Sequence, residues 1–433
     1  MSQLDHSVKD DGTTPTRILR RITRRDFGIS VLGGLVGAAV SRMIPISSMA
    51  AAASDFTIAI ISDPQDLASA CPDHTGRYYT AMMKWIVDNK HIPLTSSKPS
   101  FDANIKAVIG VGDCVGSPIP DEIKHAEAAW TILDRNRIAF ITPPGNRDYA
   151  GNTTASRSRL GEHFKTGYFS ATSRSGVYGS GIDLGDGDMA YWVGSEKTTG
   201  ANTAVKFVIS GTRMLILAMD FFAGNAAWAW AHDVTMQNSD CECYITTHAW
   251  LTIFGKQFRR KDVHGPASFS MAGPPYSNSA VEAWNTIGVD TWPNVRGIFC
   301  GHDTSKNQPV DPFSAGSTGW FWRQVPIKSD SASQQTVQQL FVNAQQFDIA
   351  CSASSSQATG AGQIASVFLL SRRPALGLLE GRMVSTHTGN WFKSKSPSFP
   401  GGTSWSDNET LLFSVPFAGL STERAMRTPQ TAG

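Results

Sequence analysis

The chain is poor in charge. Asp, Glu, Lys and Arg make up 17 % of its 433 residues, and the formal net charge is +2. Even that surplus is local. Residues 1–53 hold seven Lys/Arg and four acids, which leaves 31 bases against 32 acids in the rest. A nucleic-acid binder that works through bulk positive charge is therefore excluded. There is no fixed-period repeat. There is also no Gly-x-Ser-x-Gly elbow, P-loop or G-x-G-x-x-G unit. Cysteine is scarce, with six residues. The Cys241-x-Cys243 pair lacks a second pair at zinc-ribbon spacing, which argues against a structural zinc. What is present is 41 % hydrophobic residues, 39 Gly and 22 Pro. That is the composition of a loop-rich globular protein with a sizeable core.

Residues 1–53 read as an export signal, to be kept out of fold reasoning. A polar, Arg-rich stretch ends in Thr23-Arg24-Arg25-Asp26-Phe27, and a weakly apolar run from Phe27 to Val40 follows. Small residues at Ser47–Ala53 suit cleavage, with the mature chain starting near Ser54. The paired arginines followed by x-Phe resemble the twin-arginine signal. The alternative is an uncleaved anchor, but the apolar run is shorter than the roughly 20 residues that span a bilayer. The expectation is export to the periplasm or beyond through the export machinery, with no stable membrane span. In an exported chain the six Cys permit disulfides, and their pairing is open.

Beyond the leader, buried-strand patterns alternate with helical ones. Apolar runs at Phe56–Ile61, Ile105–Val111 and Ile138–Ile141 read as strands. Helices are expected at 77–88 and 121–135, the latter with Ile123, Ala126, Trp130 and Leu133 on one face. Residues 150–205 read as an irregular or hairpin-like insertion. Strands return at 206–210, 214–219, 244–247 and 295–300, with a helix over about 224–236 in which Trp228 and Trp230 point to different faces. Residues 265–280 read as a loop over the site. Later strands are expected at 338–343, 364–370, 377–384 and 409–414. Alternation of this kind implies a parallel sheet flanked by helices.

Five apolar strands end in polar residues of one chemical kind: Asp63 with Gln65, Asp113, Asn146, His248 and His302. In open α/β sheets ligands bind at the carboxyl ends of the strands. Asp, Asn and His form a hard-to-borderline donor set suited to Zn, Fe, Mn or similar ions. The order Asp63-Pro64-Gln65, Gly112-Asp113, Gly145-Asn146-Arg147-Asp148, Thr247-His248, Gly301-His302 resembles the calcineurin-like metallophosphoesterase superfamily. The family pattern is D-x-H, G-D, G-N-H-[DE], H and G-H-x-H.

The resemblance implies an α/β fold: a four-layer α-β-β-α sandwich of two mixed sheets flanked by helices. It would occupy residues 54–390, with 391–433 a C-terminal extension or a final strand and tail. It also implies one or two divalent or trivalent ions and hydrolysis of a small phosphate mono- or diester by metal-activated water. Asp113 would bridge the ions, and Asn146, His248 and His302 would complete one site. Asp63 and Gln65 would serve the other, with water or Asp303, since Gln65 and Thr304 stand where the family has His. Arg147 stands where the family has a proton-donating His. Arginine stays charged, so it can clamp phosphate but cannot act as a general acid. Asp148 would orient Arg147 by a paired hydrogen bond. Arg147 in a structural ion pair is the alternative. Loss of His at 65, 147 and 304 also leaves room for a non-catalytic exported binding protein on the same fold. His74 is a candidate for lining the cleft. Asn343 either lines the cleft or terminates a strand.

Overall fold

The computed structural model describes residues 54–69, 76–94, 100–149, 160–303, 320–328, 335–343, 365–387, 389, 391–392 and 411–417. The leader, Cys71, His74, Thr304 and Cys351 lie outside these residues. The four described cysteines, Cys114, Cys241, Cys243 and Cys300, are free and buried.

Phe56–Ile61 forms β1, and the short helix Gln65–Ser69 (α1) follows. Arg77–Asp88 is α2, and Pro93–Leu94 (β2) with Phe101–Asp102 (β3) make a two-stranded ribbon. Ile105–Gly110 is β4, Pro120–Arg135 is α3 and Ala139–Ile141 is β5. Proline at its first position, Asp121 and Glu122 in the first turn and Arg135 in the last give α3 well-matched ends. Glu162–Lys165 (α4) and Ala171–Tyr178 (α5) lead into Ile182–Gly185 (β6), Asp188–Ser195 (β7), Thr203–Ile209 (β8) and Thr212–Met219 (β9). Asn225–Gln237 is α6, then come Glu242–Thr247 (β10) and Val295–Cys300 (β11). The last strands are Trp320–Pro326 (β12), Thr336–Val342 (β13), Ser366–Arg373 (β14), Leu378–Ser385 (β15) and Phe413–Pro416 (β16).

The strands form two large mixed sheets. One has the order β16-β15-β14-β1-β4-β5, the other β12-β13-β11-β10-β9-β8-β7-β6. β1, β4 and β5 run parallel in the first, and β9, β10, β11 and β13 in the second. Strand periodicity sends Phe56, Ile58 and Ile60 of β1 into the layer between the sheets, where they join Val205, Phe207, Ile216 and Phe299. Ala59 and Ile61 face the other way, onto Tyr79, Met83 and Trp130 of α2 and α3. α6 covers the outer face of the second sheet through Ala227, Trp228 and Ala231. The layers are helix, sheet, sheet, helix. With both faces covered, the central strands carry near-continuous apolar runs.

One expectation is corrected. The described part of 150–205 is regular, holding α4, α5 and the β6–β7 hairpin. Its hairpin turn is pinned by Lys106, which reaches Asp186 at 2.8 Å and Asp188 at 2.9 Å. The sequence reading also passes over β12, an antiparallel edge strand. β16 pairs with β15, so the first sheet takes its edge strand from the 391–433 stretch.

Candidate metal centre

The parallel strands of both sheets deliver their carboxyl ends to one place. The two sheets are tied there directly. Thr246 Oγ1 donates to the Gly110 carbonyl at 2.7 Å, and the His302 amide donates to Asp63 Oδ2 at 2.8 Å. Asp63, Asp113 and His248 are buried, and their ligand atoms lie within 4.8 Å of one another. Close packing explains the local sequence. A Cβ on Gly145 would collide with the Asp113 carboxylate, and one on Gly301 with that of Asp63. Asp113 (φ 51°) and His302 (φ 74°) both have left-handed backbones. Such conformations cost of order 1–3 kcal/mol each and persist where the surroundings enforce them.

The hydrogen bonds decide the tautomers. His248 Nδ1 lies 2.9 Å from the Val111 carbonyl, which only accepts, so Nδ1 carries the proton. His248 Nε2 then faces Asn146 Oδ1 at 3.0 Å, Asp113 Oδ2 at 3.1 Å and His302 Nδ1 at 3.1 Å. His302 Nε2 lies 3.1 Å from the His264 carbonyl, so its proton sits there and its Nδ1 is also a lone pair. Four electron-rich atoms thus converge where neutral rings supply no proton. A positive charge, whether a proton or a cation, makes this arrangement favourable, and the donor set fits a borderline cation.

The acid–base balance of the metal-free protein says the same. Burial disfavours charge on His248, yet the Asp113 and Asp63 carboxylates override it and lift the imidazole to about 9. Burial pushes Asp63 above the usual carboxylate range, with His248 opposing and Asp113 reinforcing. Desolvation and neighbouring His248 hold His302 well below the ordinary imidazole value. The pocket binds a proton where an ion would otherwise supply the charge.

Asp63 Oδ2 also accepts from Asn343 Nδ2 at 2.8 Å, so Asn343 braces a ligand from 280 residues away. Gln65 is buried and opens α1. The Asp303 carboxylate is engaged by the Ile253 amide at 2.8 Å and by His264 Nδ1 at 3.1 Å.

Asp148 departs from expectation. It is fully buried and does not pair with Arg147. Its Oδ1 faces His163 Nε2 at 2.9 Å, and its Oδ2 accepts from the Gly145 amide at 2.8 Å and the Cys114 amide at 3.2 Å. It therefore staples the loop carrying Asp113 to the loop carrying Asn146. The Arg147 amide donates to Asp113 Oδ1 at 2.8 Å, while its side chain is exposed. That guanidinium opposes burial at Asp66, whose carboxyl is nonetheless raised to about 6, and it also disfavours charge on His302. Its charge thus acts at the mouth of the cluster, and the structural ion-pair alternative finds no partner among the described residues. Sequence reading missed His163, Asp66 and the Tyr149–Asp220 hydrogen bond of 2.6 Å. Of these, Asp220 carried a signal, since it directly follows β9 as the other site residues follow their strands.

No family model and no curated protein matches the chain. Among solved structures it is similar to a purple acid phosphatase isolated from yellow lupin (Lupinus luteus) seeds. The TM-score is 0.42 and the identity 9 %, over 79 % of this chain and 53 % of that one. The chain therefore spans about half the length of that structure.

Proposed function

We propose that the protein is an exported, metal-dependent phosphoesterase acting on a small phosphate mono- or diester. The observation that carries the reading is the convergence of Asn146 Oδ1, Asp113 Oδ2 and His302 Nδ1 on His248 Nε2. Asp113, Asn146, His248 and His302 would hold one ion, and Asp63 with Gln65 would contribute to a second. Bound there, an ion supplies an acidified water and charge stabilisation at phosphorus.

The chain's own residues do the rest. Arg147 holds phosphoryl oxygens through its fork of donors. It keeps its proton, so the leaving oxygen departs as an anion. Asp148 keeps the Asp113 and Asn146 loops in register. The Val111 and His264 carbonyls keep the two imidazoles turned with a lone pair inward. The leader directs export, and cleavage near Ser54 completes the mature chain.

The test is elemental analysis of the purified protein combined with a panel of phosphoesters. Tightly held metal with turnover is expected. Metal with no turnover of any ester would favour the binding-protein reading, which the replacement of a proton donor by Arg147 motivates. Absence of metal would overturn the phosphoesterase reading.

A further inference from the structure

Large hydrophobic side chains are seldom exposed in the described residues, and their distribution is uneven. Val263 (79 %), Tyr276 (74 %) and Phe254 (71 %) are the most exposed, and all three belong to the stretch beside the metal centre. The others, Ile119, Val177 and Leu376, are less exposed and scattered singly, which is ordinary for a protein surface.

The three sit on separate tight turns. Phe254 lies within a turn closed by Thr252 N to Lys256 O at 2.7 Å and Gly255 N to Thr252 O at 2.8 Å. Val263 lies in a turn closed by Gly265 N to Asp262 O at 2.8 Å, and Tyr276 in one closed by its amide on Gly273 O at 3.1 Å. Buried or half-buried charged groups staple the turns together. Asp303 accepts from Ile253 N and faces His264 Nδ1, so one carboxylate joins the neighbours of Phe254 and Val263. Arg260 donates to Ser277 O at 2.7 Å and pairs with Glu282 at 2.7 Å, tying the second turn to the residue after Tyr276. These cross-linked turns adjoin the metal centre, since the His264 carbonyl orients His302 and the Phe269 ring lies 5.6 Å from the His302 ring.

Along the chain, cations lie between Phe254 and Val263. Lys256, Arg259 and Lys261 are exposed, and none has an ion-pair partner among the described residues. The one acid in that run, Asp262, accepts the Arg259 amide at 2.7 Å. Apolar groups at turn tips with unpaired cations between them match the headgroup boundary of a negatively charged lipid layer. Tips enter the acyl boundary while Lys and Arg meet phosphate. We infer that the Phe254, Val263 and Tyr276 turns dock the protein on an anionic lipid surface, with the metal centre beside the interface. The inference stands apart from the phosphoesterase reading, because docking needs no turnover.

The test is co-sedimentation of the full chain with vesicles of phosphatidylcholine, with and without about one-third phosphatidylglycerol. Three proteins are compared: wild type, Phe254→Ser with Val263→Ser, and Lys256→Gln with Arg259→Gln and Lys261→Gln. Any contribution of residues 1–53 is common to all three. All the substituted side chains are exposed, and unchanged circular dichroism confirms folding. Wild type should favour the anionic vesicles. The apolar variant should bind at least tenfold more weakly. The charge variant should lose roughly fivefold per cation at low salt. Equal binding by all three proteins would overturn the inference. So would self-association of wild type without vesicles that the apolar variant loses, since a second copy would then be the occupant. Neither result touches the assignment of the metal centre.

Discussion

The two halves of the centre differ in how their donors are arranged. On one side, Asn146, Asp113 and His302 aim at a single nitrogen of His248, and each is held from behind by backbone or by Asp148. On the other, Asp63 already receives hydrogen bonds from the His302 amide and Asn343, and its neighbour is the neutral amide of Gln65. The sheets contribute unequally as well. The first sheet sends the carboxylates and both amides, while both imidazoles come from the second. On the proposed reading, the Asp63–Gln65 side would therefore hold an ion less firmly than the His248 side.

The largest effects should come from breaking the stronger half. Asp113→Ala and His248→Ala each remove a converging donor. Both should abolish phosphoesterase activity and weaken metal affinity by more than the roughly 10–100-fold typical of supporting residues. Gln65→Ala should do far less, because water replaces a neutral amide oxygen, and Gln65→His should tighten that side. Equal losses from Gln65→Ala and His248→Ala, read by metal titration, would erase the contrast between the halves.

Arg147→Ala should cost roughly 2.7–4 kcal/mol of barrier if it resembles loss of one oxyanion donor. Aryl phosphates should be cleaved faster than alkyl esters in wild type, and Arg147→His should narrow that gap. A leaving-group dependence identical in wild type and both variants would show that Arg147 does not face the leaving oxygen.

His163→Ala removes the imidazole that faces the buried Asp148 carboxylate at 2.9 Å. Leaving a buried polar group without its partner costs about 1–3 kcal/mol, so thermal stability should fall clearly. Metal should be held less tightly too, because both loops on the stronger side hang from Asp148. A variant with lowered melting temperature and unchanged metal affinity would limit Asp148 to a structural role.

The pH response is smaller and has a definite sign. In the metal-free protein His248 is raised from 6.5 to about 9. The folded state therefore binds this proton more tightly than the unfolded state. The stabilisation is fully present below pH 6.5 and is lost as pH rises through about 9. Metal-free protein should lose stability across that window, and metal-loaded protein much less, because the ion replaces the proton. Melting temperatures with and without zinc check this. Parallel curves would mean that the ion and the proton do not compete.

The strand ends were legible because a buried parallel strand needs an unbroken apolar run, so the polar residue that ends it stands out. Asp63, Asp113, Asn146, His248 and His302 were found in that way. The edge strand β12 was not, because only Trp320 in it is buried and Arg323 and Gln324 break the run. Supporting contacts were illegible for another reason. Asp148 meets His163, and Asp63 meets Asn343, only through the folded topology. A motif places Asp148 beside Arg147, but burial turns its carboxylate away to two backbone amides and an imidazole. Thr304 and His74 lie outside the described residues.

The account rests on a cation at the junction of the two sheets. Its most direct test is the number of metal ions per chain in purified wild type and in His248→Ala, measured by elemental analysis after dialysis against a weak chelator. At least one retained ion per wild-type chain, lost in the variant while circular dichroism is unchanged, is the expected result. A wild type without metal, or a variant that keeps its full complement, would contradict it.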